Sequence, residues 1–223
     1  MKLLTYPDRD MMFLDVADQI ASELSGFLRT QDRVTFCVPG GSTPGPVFDV
    51  LCDLDLDWAR VSVVLSDERW VDEGSVRSNT RLVRQRLLRG RASAATLVPL
   101  YAAGLRPEDR LAELTAGLLP HLPLSLLLLG MGDDMHIASL FPGADQLVGA
   151  LAADAPPLMA MRAPGAPEPR VTLTAPVLAG AMSTHLLLTG ADKRAALDRA
   201  QHLDPSHAPV RCVLGHACVH WAA

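Results

Sequence analysis

The sequence predicts an α/β protein of three-layer, Rossmann-like architecture: a mostly parallel sheet with helices on both faces. Three observations lead there. Short apolar runs alternate with helix-period segments along the 223 residues, the order that a parallel sheet imposes. "RVSVVLSDE" (60–68) and "LSLLLLG" (124–130) are near-continuous apolar runs, as strands covered on both faces are. Residues able to do chemistry gather immediately after strands, where the loops of such a sheet meet and ligands bind.

Each element follows in turn. Val16, Ile20, Leu24 and Phe27 share one face of a helix over 16–28. "RVTFCVP" (33–39) reads as a strand, followed by a glycine turn and a helix in "PVFDVLCDL" (46–54). After the 60–68 strand, "NTRLVRQRLL" (79–88) is helical with Ser78 as N-cap. "TLVPL" (96–100) is a weaker strand and "EDRLAELTAGLLPHL" (108–122) a helix. The 124–130 strand leads through a turn into a helix starting at "HIASLF" (136–141). The Pro/Ala-rich stretch 155–169 reads as a surface loop. "RVTLTAPVLAGA" (170–181) is a strand running into a helix, "THLLLTG" (184–190) a strand and "ADKRAALDRAQ" (191–201) a helix. "PVRCVLGH" (209–216) and "ACVHW" (217–221) read as short closing strands. No composition break divides the chain, so a single domain over 1–223 is expected.

Composition narrows the function. A net charge of −5 argues against a nucleic-acid protein without forbidding a local basic pocket. The apolar run around 126–129 is far too short to span a membrane, and the first dozen residues lack a signal-peptide h-region. Cys37, Cys52, Cys212 and Cys218 are scattered, which suits reduced thiols in a cytoplasmic protein. Cys212, His216, Cys218 and His220 match no standard zinc spacing, so neither a metal nor another cofactor is expected.

Four motifs carry chemistry. In "VPGGSTPGPV" (38–47), Gly40, Gly41, Ser42 and Thr43 form a loop whose N–H groups and hydroxyls suit an anion, although a plain capped turn reads similarly. "SDERWV" (66–71) places Asp67 and Arg69 at a strand end: Arg69 to face an anion or carbonyl oxygen, Asp67 to position a hydroxyl or a base. "GMGDDMHIASLFPG" (130–143) sets His136 beside Asp134; a carboxylate accepting one imidazole N–H leaves the other nitrogen free as a base. Arg170 and Lys193 are late cations, each unremarkable alone, that together with the glycine loop describe a pocket for a phosphorylated small molecule. Neither Ser42 nor Ser139 lies in a serine-hydrolase elbow.

Taken together, "PGGSTP", "SDERWV" with "SN" at 78–79, "GMGDDMHIASLFPG", "RVTLT" and "GADKRAAL" resemble the 6-phosphogluconolactonases, which belong with the glucosamine-6-phosphate isomerase/deaminase-like α/β proteins. The resemblance covers essentially the whole chain. It implies hydrolysis of 6-phospho-D-glucono-1,5-lactone to 6-phospho-D-gluconate, without a metal, on a small-molecule substrate; the sequence leaves open whether the chain is a monomer or homodimer. It also implies the roles: His136 as general base, Asp134 orienting it, Arg69 at the substrate or developing oxyanion, and Gly41, Ser42, Thr43, Arg170 and Lys193 holding the sugar phosphate. Asp67 matches the catalytic aspartate of the deaminases. Those relatives read Asp-Glu-Tyr and Phe-Asn-Glu-Pro where this chain has Arg69 and "SLFPG", so an amino-sugar-phosphate isomerase/deaminase is the lesser alternative. One departure stands out: the family turn reads Asp-Gly-His, and here Met135 replaces the glycine. Met135 is either strained at positive φ by about 1–2 kcal/mol, or narrows the pocket, or sits in helical backbone. A sugar-phosphate binder weakened in catalysis is the corresponding alternative.

Overall fold

The computed structural model describes all of residues 1–223. In chain order the elements are β1 (Lys2–Thr5), α1 (Arg9–Leu28), β2 (Val34–Val38), α2 (Gly45–Leu51), β3 (Val61–Leu65), β4 (Asp67–Arg69), α3 (Asn79–Arg86), β5 (Thr96–Val98) and α4 (Leu111–Leu118). They continue with β6 (Leu126–Gly130), α5 (Leu147–Leu151), β7 (Leu158–Met161), β8 (Arg170–Leu173), α6 (Ala175–Ala179), β9 (Ser183–Thr189), α7 (Ala191–Ala200), α8 (Arg211–Leu214) and β10 (Cys218–Ala222).

Seven strands form one all-parallel sheet in the order β1-β10-β9-β6-β2-β3-β5. Every residue of β2 and β3 is buried, which requires cover on both faces, and the surrounding helices supply it. The longest, α1, begins where the Asp8 side chain accepts from the Met11 N–H, and it buries Met12, Val16, Ile20 and Leu24 at four-residue spacing. After β2 the chain moves outward through β3 to β5; after β6 it moves the other way through β9 to β10. The order therefore reverses between β2 and β6, and a crevice opens beyond their carboxyl ends. A small antiparallel sheet, β4-β8-β7, stands over that end of β3, to which β4 is joined through Ser66 alone.

Several local expectations need correction. The 155–169 stretch is not all loop: Leu158–Met161 forms β7, whose apolar residues pair with β8 between proline-rich flanks. No helix starts at "HIASLF", because Met135 (φ 66°) and Ala138 (φ 49°) turn the backbone left-handed, and only an isolated Ile137–Leu140 bridge forms. "PVRCVLGH" contains the short helix α8 rather than a strand. Ser78 does cap α3, accepting from the Arg81 N–H. All four cysteines are free, with Cys37 and Cys52 buried.

Candidate active site

A pocket of about 280 Å³ occupies the crevice at the strand-order reversal. Loops after β2, β6 and β9 and the small sheet enclose it. It brings together Gly40, Gly41, Ser42, Thr43, Asp67, Arg69, His136, Arg170 and Lys193. Of the residues expected to catalyse or bind, Asp134 does not line it and stands behind His136 instead.

The loop after β2 is built to receive an anion. Gly41 takes φ +88°, and a Cβ on Gly40 would lie 2.0 Å from the Asn79 side chain, so both positions call for glycine. The backbone N–H groups from Gly40 to Thr43 find no acceptor within the chain and remain free for a ligand.

The turn after β6 presents the imidazole. His136 Nδ1 lies 2.5 Å from Asp134 Oδ1, and the His136 backbone N–H donates to the same oxygen at 3.2 Å. The hydrogen bond from His136 holds the Asp134 carboxyl below the usual carboxylate range, against partial burial. Nε2 has no partner in the chain. The ring stacks on Phe141 at 4.0 Å, and the Arg170 guanidinium lies 5.1 Å from the centroid of that phenyl on a cation–π path. A Cβ on Gly132 would sit 2.1 Å from His136 Nδ1 and 2.3 Å from Asp134 Oδ1. Glycine at 132 is therefore what permits the pair. Met135 takes the strained one of the three conformations open to it: its φ is 66°, it packs against the core, and it does not line the pocket.

The small sheet delivers the arginines. Arg69 and Arg170 are paired residues of β4 and β8. Each has a buried Nε with no hydrogen-bond partner, an arrangement costly in isolation and suited to an incoming anion. Burial pushes the Arg170 pKa down, with Arg69 nearby adding to that effect, while Asp67 opposes it. Asp67 is 3.6 Å from Arg170 Nη1 and accepts from the Ser139 hydroxyl at 2.6 Å. These contacts make it a brace for the arginine. Lys193 reaches the rim from the first turn of α7 and pairs with Asp133 at 3.3 Å, which gives Asp133 a partner across the pocket mouth.

Three contributors escaped the motif reading. Glu68 is fully buried and accepts from the N–H groups of Arg69, Asn79 and Thr80 and from the Ser78 hydroxyl. Ser139 links Asp67 to Thr172, and Phe141 lies between His136 and Arg170. The one sequence signal for Glu68 was its place inside "SDERWV", ten residues before the Ser78 cap.

A family model described as glucosamine-6-phosphate isomerases/6-phosphogluconolactonase matches residues 7–221. A 6-phosphogluconolactonase from Pseudomonas aeruginosa is 39% identical over 92% of this chain and 88% of its own. Another from Mesorhizobium japonicum is 39% identical over 95% and 90%. The crystal structure of a 6-phosphogluconolactonase from Shewanella baltica superposes with a TM-score of 0.96 at 30% identity, covering 100% of this chain and 98% of its own. A monomeric glucosamine-6-phosphate deaminase, 14% identical with a TM-score of 0.82 and covering 100% and 97%, shares the fold alone. By the matched span, these identities and the superposition, the chain belongs to the glucosamine-6-phosphate isomerase/6-phosphogluconolactonase family.

Proposed function

We propose that the chain is a 6-phosphogluconolactonase that opens 6-phospho-D-glucono-1,5-lactone to 6-phospho-D-gluconate, with His136 as general base. The observation that carries the mechanism is the Asp134–His136 pair, its free Nε2 in one pocket with two arginines whose Nε atoms lack partners. Lactonase relatives at 39% identity over nearly the whole chain support the substrate.

Asp134 accepts from Nδ1–H and so keeps the lone pair of His136 on Nε2. A water donating to Nε2 loses its proton as its oxygen attacks the lactone carbonyl carbon. The carbonyl oxygen becomes an oxyanion facing the guanidiniums of Arg69 and Arg170. Collapse of the tetrahedral intermediate breaks the bond to the ring oxygen, which leaves as the sugar hydroxyl after taking the proton from the imidazolium. The free N–H groups of residues 40–43 and the ammonium of Lys193 hold the phosphate. Met135 does not displace the catalytic pair, so the 2.5 Å Asp134–His136 contact favours catalysis over a binding role alone.

The test is a lactonase assay on freshly generated substrate with spontaneous ring opening subtracted. Wild type should exceed the blank, and His136→Ala should lose about 10²–10⁴-fold in kcat. Full activity in His136→Ala would refute the base assignment.

A further inference from the structure

At the opposite end of the sheet, a second pocket of about 250 Å³ lies at the amino-terminal ends of β2, β6 and β9, the central strands that also run to the active site. Its lining combines the polar Arg33, His121, Thr35 and Ser125 with the apolar Leu122 and Met182 and two prolines, Pro120 and Pro123. No carboxylate lines it, although the chain as a whole is acidic. Arg33 takes part in none of the chain's ion pairs. His121 Nδ1 is shut off from solvent without a hydrogen-bond partner.

The active-site pocket likewise holds buried side-chain nitrogens without partners, the Nε atoms of Arg69 and Arg170, although there Asp67 lies beside Arg170. A buried polar atom left without a partner is destabilising, and a ligand that satisfies it recovers that cost. Charge separates the two pockets. The active site gathers three cations (Arg69, Arg170 and Lys193), which suits a substrate that carries a phosphate dianion and develops an oxyanion. The second pocket has one fixed cation. Burial and the nearby Arg33 hold His121 below the ordinary histidine pKa, so it serves as a neutral N–H donor.

We propose that this second pocket binds a small organic monoanion, a carboxylate with an apolar body. The carboxylate sits on the guanidinium fork of Arg33, His121 Nδ1–H donates to it, and the apolar body lies against Leu122 and Met182.

Benzoate, titrated calorimetrically into the whole protein with and without saturating inorganic phosphate, tests this. Wild type should bind one equivalent, unaffected by phosphate. Arg33→Gln should weaken benzoate at least tenfold and His121→Ala severalfold, while lactone hydrolysis and phosphate affinity stay unchanged in both. Unchanged phosphate affinity also shows that the variants are folded, whether or not the chain proves to be a lactonase. Loss of benzoate binding when phosphate is present would overturn the proposal by assigning the benzoate to the active site. So would an undiminished affinity in Arg33→Gln, or no uptake by wild type at millimolar benzoate.

Discussion

At Met135 the backbone takes φ 66°, a region in which a side chain's Cβ crowds the following carbonyl oxygen. The geometry persists because the turn is fastened on both sides: Met135 N–H donates to Gly132 O at 3.0 Å, and its carbonyl accepts from Val210 N–H at 3.1 Å. The strain separates two substitutions that both delete the methionine side chain. In an ordinary helix Gly is about 1 kcal/mol worse than Ala, but at positive φ the order inverts. Met135→Gly should therefore be about 1 kcal/mol more stable than Met135→Ala in urea unfolding at equal m-value. The reverse order would mean that the left-handed turn does not exist in solution. Met135→Gly should also keep lactonase activity, since the pocket does not use this side chain. Residues such as His136, Arg69 and the Gly40–Thr43 loop were legible in the sequence because chemically capable types followed apolar runs. Gly130 and Gly132 read in the sequence as positions that permit a close backbone approach, but only the folded turn shows that what approaches Gly132 is the Asp134–His136 contact.

Among the elements, α3 depends on a residue from another strand. Its first N–H groups, at Asn79 and Thr80, point at Glu68 from β4, with donor–acceptor distances of 2.8 and 2.7 Å. A buried carboxylate accepting from a helix start and from the Arg69 N–H fixes three things together: the entry of α3, the position of Asn79 beside Gly40, and the strand position of Arg69. Glu68→Gln keeps the shape but replaces one acceptor oxygen with an amide that cannot accept. Stability should fall by about 2–4 kcal/mol, and KM should rise severalfold because Arg69 and the glycine loop lose their support. Unchanged stability in thermal or urea unfolding would remove Glu68 from this role. The Glu68 contact spans ten or more residues and two elements, so no periodicity reports it. Similar limits explain the other misses. β7 is a four-residue strand paired only with β8, and α8 is a single turn following "HAPV", where a short apolar run serves helix and strand equally. The long, buried strands β3 and β6 left no such ambiguity.

Across the whole molecule, a hydrogen-bonded line of polar side chains ties segments more than 200 residues apart. Tyr6 from the turn after β1 meets His220 Nδ1 at 2.9 Å, His220 Nε2 meets His185 Nδ1 at 2.9 Å, and His185 Nε2 lies 3.2 Å from Glu23 of α1. Tyr6 also donates to Asp15, at 2.5 Å, and the two imidazoles stack with ring centroids 5.2 Å apart. The line clamps α1 and β1 to the β10 and β9 side of the sheet. Burial, reinforced by His185, pushes the His220 pKa down to about 4, while Asp15 and Glu23 oppose the shift. The folded state thus keeps this ring neutral where an unfolded chain, titrating near 6.5, takes up a proton. The stabilisation linked to His220 is complete above about pH 6.5, declines as the pH falls towards 4, and is lost below that. Over the interval it amounts to about 3 kcal/mol. In unfolding free energies measured from pH 7 to 4, His220 should contribute a slope approaching about 1.4 kcal/mol per pH unit at the steepest. His220→Asn should lower stability near pH 7 and flatten this slope by one proton's worth, so that its deficit shrinks towards pH 4, because no group at 220 then titrates. An unchanged slope in that variant would place the acid sensitivity in other groups and leave the clamp as packing alone.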